Sequence, residues 1–464
     1  MLALKGRKVL VLGLGDTGLS MTRWLVRHGA DVAVADTRAA PPHARALSDE
    51  LPQVKLATGP FRDDDLSRAD LIAVSPGIDR RIPGIARSIE RGTPVVGDVE
   101  LFAHALQSHQ PPAITPKVLA VTGSNGKSTV TAMCGAMCQA AGRATVVAGN
   151  IGLPVLDALS AMLDQAAPAD IFVLELSSFQ LESTSSLEPD AAAMLNLSED
   201  HLDRYDGMAS YAAAKARVFA GDGVQVLNRD DARSMAMALP GREVTTFGIQ
   251  PAGAARDWGV RTSRGLQMLA QGEREVMPVA DLPLAGMHNA ANALAALALT
   301  SALKLPEAPL LGGLRSFTGL PHRLQRIAEI RGVTFYNDSK GTNVGASVAA
   351  LSGMTRPAVL IAGGDGKGQD FAPLAEAVAR HARAVVLIGR DAPLIDKVIA
   401  QSGVARMRVK TMEEAVHAAY RASEPGDVVL LSPACASYDM FRSYVDRGEA
   451  FVVAVNKLAE ERVR

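Results

Sequence analysis

The sequence predicts an α/β protein of three domains, each a largely parallel sheet covered by helices. Three observations lead there. Apolar runs of strand length alternate with helical patterns along the whole chain, and many of the strands end in glycine or serine, which is the punctuation of βα units. Hydrophobic residues make up 48% of the chain while aromatics make up 4%, and there are 41 glycines, the balance of a compact fold with many tight turns. At 464 residues the chain exceeds one ordinary core, so two or three domains are expected.

The first domain is assigned to residues 1–97. Lys8 to Leu12 reads as a buried strand, Gly13-Leu14-Gly15-Asp16-Thr17-Gly18 as a glycine turn, and a helix through His28 follows. A second strand, Asp31 to Ala35, ends at Asp36. Strand, G-x-G-x-x-G, helix, strand and acid in that order form a dinucleotide-binding fingerprint, so this domain is expected to be Rossmann-like. Alone, the motif would predict a nicotinamide oxidoreductase, with a structural turn that holds no ligand as the alternative. Asp36-Thr37-Arg38 adds an acceptor, a hydroxyl and a guanidinium at a strand end, and Ser75-Pro76-Gly77 follows the strand Leu71 to Val74 at the same edge, where open sheets of this kind bind ligands. The boundary falls at Gly97-Asp98; a helix from Val99 to Leu106 and an exposed connection from Gln107 to Pro116 are expected next.

The second domain, 98–319, is expected to be a central mononucleotide-binding α/β unit with a P-loop. Its decisive stretch is an apolar strand running into Thr122-Gly123-Ser124-Asn125-Gly126-Lys127-Ser128-Thr129 and then a helix. Glycines let backbone N–H groups converge on phosphate oxygens, Lys127 brings a charge to the β- and γ-phosphates, and Ser128 brings a hydroxyl to Mg²⁺. The first glycine of the usual G-x-x-x-x-G-K-[ST] pattern is displaced, with Val121 in its place. The apolar strand Ile171 to Leu174 delivers Glu175, a carboxylate placed to share that Mg²⁺. His201, between Asp200 and Asp203, reads as a metal ligand whose tautomer those acids fix. Lys215 reads from its own surroundings as an amine reaching out to water. Asn289, at the head of an Ala-rich helix, reads from its own position as an N-cap. Cys134 and Cys138, four apart on the helix after the phosphate loop, read as small buried residues.

The third domain, 320–464, is expected to be Rossmann-like again. It follows the turn Thr318 to Arg323 and opens with the strand Val333 to Tyr336, which leads into Asn337-Asp338-Ser339-Lys340-Gly341-Thr342-Asn343. Further strands run into Gly363-Gly364-Asp365-Gly366-Lys367 and into Ser432-Pro433-Ala434-Cys435-Ala436-Ser437.

The loop T-G-x-N-G-K-[ST] at 122–128, with the motifs around it, resembles the Mur ligase and folylpolyglutamate synthase superfamily, whose members join an amino acid to a carboxylate using ATP. D-S-K-x-T-N at 338–343 is similar to the glutamate-adding type; relatives adding other amino acids carry Tyr, His or Ala after the aspartate. The resemblance implies an ATP-dependent ligase adding D-glutamate to UDP-N-acetylmuramoyl-L-alanine through an acyl phosphate, with two Mg²⁺ ions. It implies that Gly123 to Thr129, Asn289, Asn292, Arg323 and Asp338 bind ATP. The UDP-sugar peptide falls to Asp16 and Thr17 at the pyrophosphate, Asp36, Thr37 and Arg38 at the uracil, and Ser75, Gly77, Asn150, Ser177, Gln180 and His201. Lys215 becomes a carbamate that holds the second Mg²⁺ with His201, so that Lys127, Glu175, His201 and Lys215 form the catalytic set. Glutamate brings two carboxylates and needs cations and hydroxyls, a demand that Lys340, Thr342, Lys367 and Ser437 meet, with Tyr444 beside them.

A net charge of −1 gives no field to hold DNA or RNA. Residues 1–8 lack an apolar signal core, and the longest Ala/Leu run, Ala293 to Leu303, is shorter than the roughly 18 residues of a membrane span. A cytoplasmic monomer working on small molecules is expected. Three cysteines without zinc spacing point to no metal framework.

Overall fold

The computed structural model describes residues 3–108, 116–164, 169–200, 204–284 and 286–463. In the N-terminal part β1 (Lys8–Leu12), β2 (Asp31–Asp36), β3 (Lys55–Thr58), β4 (Leu71–Val74) and β5 (Val95–Val96) form a parallel sheet in the order β3-β2-β1-β4-β5. The chain leaves β1 on one side and returns on the other at β4, so a crevice opens at their carboxyl ends. The helix Asp16–Arg27 starts there. Gly18 is obligatory in that turn, because a Cβ on it would lie 1.8 Å from the carbonyl oxygen of Gly13.

The middle part contains β6 (Lys117–Thr122), β7 (Thr145–Gly149), β8 (Ile171–Glu175), β9 (Ala191–Met194), β10 (Val224–Asn228), β11 (Val244–Phe247), β12 (Trp258–Ser263), β13 (Leu266–Gln271) and β14 (Arg274–Pro278). They form one sheet in the order β14-β13-β12-β11-β10-β9-β6-β8-β7. From β7 to β12 the pairing is parallel, and β12, β13 and β14 add two antiparallel hairpins. β6 is the switch strand of this sheet, with β8 on one side and β9 on the other. Its residues from Val118 to Thr122 are buried, as a strand covered on both faces requires. Against it packs the phosphate helix Lys127–Ala140, and the alanine-rich helix Met287–Ser301 lies beside that helix over β9 to β12. Cys134 and Cys138 are fully buried in that contact.

The C-terminal part contains β15 (Gln325–Ile330), β16 (Val333–Asn337), β17 (Ala358–Gly363), β18 (Ala382–Ile388), β19 (Ala405–Arg408) and β20 (Val428–Leu431), ordered β15-β16-β20-β17-β18-β19. β15 is antiparallel and the others are parallel. The helix expected from Val99 runs from Asp98 to Ser108, two residues into the stretch read as a connection, and 109–115 lie outside the described residues.

Candidate active site

The phosphate loop is braced before any ligand arrives. Ser124 N donates to Asn196 O at 2.9 Å, Asn125 N donates to the Asn196 side chain at 2.8 Å, and Asn196 Nδ2 returns a bond to Asn125 O at 3.1 Å. Asn196 follows β9, so the neighbouring strand of the sheet fixes the loop. Gly126 caps the phosphate helix at φ +85°, and a Cβ there would stand 2.6 Å from Asn292 Oδ1; only glycine meets both demands. Lys127 Nζ lies on the carbonyl oxygens of Gly123 and Ser124, at 2.9 and 2.8 Å.

Glu175 ends β8, paired in register with Val121 of β6, which brings its carboxylate beside the loop. Ser128 Oγ donates to Glu175 Oε2, and Asn150 Nδ2 donates to Oε1 at 2.8 Å. Burial alone would raise this carboxyl, but Lys127, the two hydrogen bonds and Arg323 outweigh it and hold Glu175 below its usual range. The pair is a hard-oxygen set of the kind Mg²⁺ selects.

Lys215 is 1% exposed, which overturns the reading of an amine reaching to water. The helix Met208–Ala216 turns it inward over small residues, where Nζ donates to Gly123 O at 2.8 Å and stands 4.9 Å from the centroid of the Tyr211 ring. Burial, and then the Lys127 charge, push its pKa well below that of an ordinary lysine. His201, with Asp203, lies outside the described residues; Asp200 beside it is buried, with Lys367 Nζ 3.7 Å away.

From the C-terminal part Arg323, Asp338, Lys340, Thr342, Lys367, Ser437 and Tyr444 reach the same cleft, about 520 Å³ in volume, that Ser124 to Thr129, Asn150, Glu175, Ser177, Lys215, Asn289 and Asn292 line. Arg323 donates to Ser128 Oγ. Lys340 Nζ sits 3.8 Å from the centroid of the Tyr444 ring, and burial followed by Arg323 lowers it to about 8. Asp338 is raised to about 7 by burial, against the pull of Ser432 and Arg323. Asn289 is not an N-cap: Gly286 holds that position and Asn289 is buried in the first turn, accepting from Asn292 Nδ2 at 3.3 Å.

The N-terminal candidates gather at the carboxyl ends of β1, β2 and β4. Asp36 is buried, and its carboxylate accepts from Leu14 N at 2.7 Å and from Arg38 N, Nε and Nη2 at 2.9, 2.9 and 2.6 Å. Those four bonds fill its acceptor sites, and the Arg38 contact brings it down to about 2. Asp36 therefore acts by shaping the turn and holding Arg38, while Thr37 and Gly77 are exposed. Ser75 Oγ donates to Gly13 O at 3.0 Å, and Asp16 accepts from or pairs with His43 at 2.6 Å. Gln180 does not reach the cleft wall; Oε1 closes a capping box on Ser177, and Nε2 donates to Asp98 at 3.1 Å.

Comparison with known proteins decides the family. Residues 7–97 match the family model described as Mur ligase MurD-like N-terminal domain, 121–300 the Mur ligase middle domain, and 322–435 the Mur ligase glutamate ligase domain. The chain belongs to the Mur ligase family. Among its relatives, the UDP-N-acetylmuramoylalanine–D-glutamate ligase of Thiobacillus denitrificans is 60% identical, over 100% of this chain and 99% of that one. The protein of the same name from Methylobacillus flagellatus is 56% identical over the whole of both. The UDP-N-acetylmuramate-alanine ligase of Thermotoga maritima superposes with a TM-score of 0.61 at 19% identity, over 97% of this chain and 100% of that one. MurF of Acinetobacter baumannii gives 0.62 at 17%, over 98% and 93%. These two likenesses speak for the three-domain fold.

Two residues of this Mur ligase have roles that the sequence reading did not assign. Arg447 is 1% exposed; Nε donates to Ser339 Oγ, Nη2 to Ser339 O, and Nη1 to Cys435 O, at 3.0, 2.8 and 3.0 Å. It ties the loop before Lys340 to the loop before Ser437. Asn343 Nδ2 crosses to Asn125 Oδ1 at 3.0 Å, and so connects the C-terminal part to the phosphate loop. Neither role has a local signal, since each partner is far away in the chain.

Proposed function

We propose that this Mur ligase joins D-glutamate to UDP-N-acetylmuramoyl-L-alanine, converting ATP to ADP and phosphate, as a step in making peptidoglycan precursors. The observation that carries the reading is convergence. The phosphate loop and the Asp338-Ser339-Lys340-Gly341-Thr342-Asn343 loop face one cleft, in a chain 60% identical to a ligase of that name.

A carboxylate and an amine do not condense in water, because hydroxide is a poor leaving group. The acceptor's L-alanyl carboxylate oxygen attacks the γ-phosphorus and ADP leaves, giving an acyl phosphate. The glutamate amine then attacks the acyl carbon, and phosphate leaves with the acceptor oxygen. Lys127 and Arg323 neutralise charge on the transferring group. Backbone N–H groups from Gly123 to Thr129 cradle the phosphates, and Asn289 and Asn292 hold the nucleoside. Lys340, Thr342, Lys367 and Ser437 take the glutamate carboxylates, with Tyr444 at the pocket wall. Asp16, Thr17, Arg38, Ser75 and Gly77 hold the UDP, and Asn150 and Ser177 the sugar peptide.

Ser128 and Glu175 would hold one Mg²⁺, which when bound lowers the charge of the phosphates. Their adjoining hard oxygens fit that ion. A second would be held by Lys215 as its carbamate with His201; the buried, readily neutral amine of Lys215 supports that modification. We place the domain boundaries after 97 and after 319, and propose a cytoplasmic monomer.

The test is ADP release with each substrate omitted in turn. Release that requires both the nucleotide sugar and D-glutamate, and vanishes in Lys127→Ala, is the expected result. Equal turnover with L-glutamate would overturn the assignment of the D enantiomer, and release without either substrate would overturn the ligase.

A further inference from the structure

Between the N-terminal and middle sheets lies a largely buried arginine that the phosphate chemistry does not use. Arg204 has a side chain 10% exposed. Its Nη1 donates to Pro76 O at 3.1 Å, and its Nη2 donates to Ile78 O at 3.0 Å and to Glu182 Oε2 at 2.8 Å. The guanidinium carbon lies 4.3 Å from the centroid of the Phe179 ring. Two separate pieces of chain thus meet on a flat cation carried by a third.

Each piece borders a different part of the machinery. Pro76 and Ile78 bracket Gly77, in the loop whose head, Ser75, is bonded to Gly13 of the glycine turn. Glu182 and Phe179 belong to the short helix Ser178–Glu182 that follows β8, and Ser177, Ser178 and Phe179 line the phosphate cleft. Arg204 itself follows the stretch that holds Asp200.

The arrangement is costly for a purely structural joint. Arg80, half-buried at this joint, is lowered by burial and then by the charge of Arg217, with Arg204 adding to the effect. Arg80 Nε and Arg204 Nε are both buried without a hydrogen-bond partner among the described residues. Apolar side chains would close such a joint at no electrostatic cost. A guanidinium does what they cannot, since its fixed fork holds two diverging carbonyls at set distances.

We infer that Arg204 is a positioning residue: it locks the Ser75–Ile78 loop of the nucleotide-sugar crevice to the wall of the phosphate cleft, so that the acceptor carboxylate arrives in line with the terminal phosphoryl group. The inference rests on the ligase reading above, in which one domain holds the acceptor and another reacts with it. A misplacement of about 1 Å between them is worth roughly 10²-fold in rate.

The test compares wild type, Arg204→Lys and Glu182→Gln, with thermal melting as a check of folding. In Arg204→Lys, whose ammonium cannot span both carbonyls, the KM for the nucleotide sugar should rise about tenfold and kcat should fall about 10²-fold, with the KM values for ATP and glutamate within twofold. Glu182→Gln loosens one of the three anchors and should show the same split at about threefold. Calorimetric titration with the nucleotide sugar alone should show the same loss of affinity, whether or not the wild type turns over; this separates failure of the inference from failure of the ligase reading. A folded Arg204→Lys with wild-type affinity for the nucleotide sugar, or one in which all three KM values rise together, overturns the inference. If Arg204→Lys does not fold, Glu182→Gln without the split does so.

Discussion

Lys127 and Lys215 donate to the same oxygen: Gly123 O accepts from one Nζ at 2.9 Å and from the other at 2.8 Å. Two ammonium groups on one carbonyl repel, and the more deeply buried Lys215 yields its proton first. In the proposed carbamate the neutral amine adds CO₂ and loses a proton to become an anion, which exchanges the repulsion for attraction to Lys127. Lys215→Arg, which stays cationic, should therefore lose at least about 10²-fold in kcat. Carbon dioxide depletion should slow the wild type and bicarbonate should restore it, read by ADP release, whereas the variant should respond to neither.

Lys340 gives a pH dependence of defined sign. Its folded value of about 8 lies below that of a free lysine, so the ammonium proposed to hold a glutamate carboxylate is present at pH 7 and lost as pH rises through 8. kcat/KM for glutamate should fall roughly tenfold by pH 9. Lys340→Arg, charged throughout, should flatten the profile even if its rate is lower.

Asp98 predicts a change in stability instead. It is 1% exposed, with Gln180 as side-chain partner, and burial raises it to about 6. A carboxyl raised above its unfolded value contributes fully below about pH 4, and that contribution is lost as pH rises through about 6. Asp98→Asn has no proton to lose. Its stability relative to wild type, from urea denaturation at pH 4 and at pH 7, should improve by on the order of 2–3 kcal/mol across that interval.

Gly126→Ala tests the phosphate turn. The substitution meets both a positive φ and the Asn292 amide, a strain of about 1–3 kcal/mol. The KM for ATP should rise at least tenfold, with the affinity for nucleotide sugar unchanged by calorimetry.

Much of this was legible because it is local. The phosphate loop, the acid ending β8 and the loop at 338–343 are short runs that stand out in sequence, and the structure brings them to one cleft. The burial of Lys215 was not, since it depends on the helix Met208–Ala216 lying under the loop at Gly123, 92 residues away. Gln180 carried a ligand's chemistry but is used in a capping box, because the turn after β8 needs its own polar groups satisfied. Arg204, Asp98 and Arg447 look like surface charges in sequence; partners from distant segments bury Asp98 and Arg447 and largely cover Arg204.

The central claim is that the acceptor acid is activated by phosphoryl transfer before the amine attacks. Acceptor labelled with ¹⁸O in its terminal carboxylate, turned over with ATP and D-glutamate, tests it most directly by mass spectrometry of the phosphate released. One labelled oxygen per phosphate is expected, because the attacking oxygen leaves with the phosphorus. Phosphate free of label, with amide formed, would contradict the account.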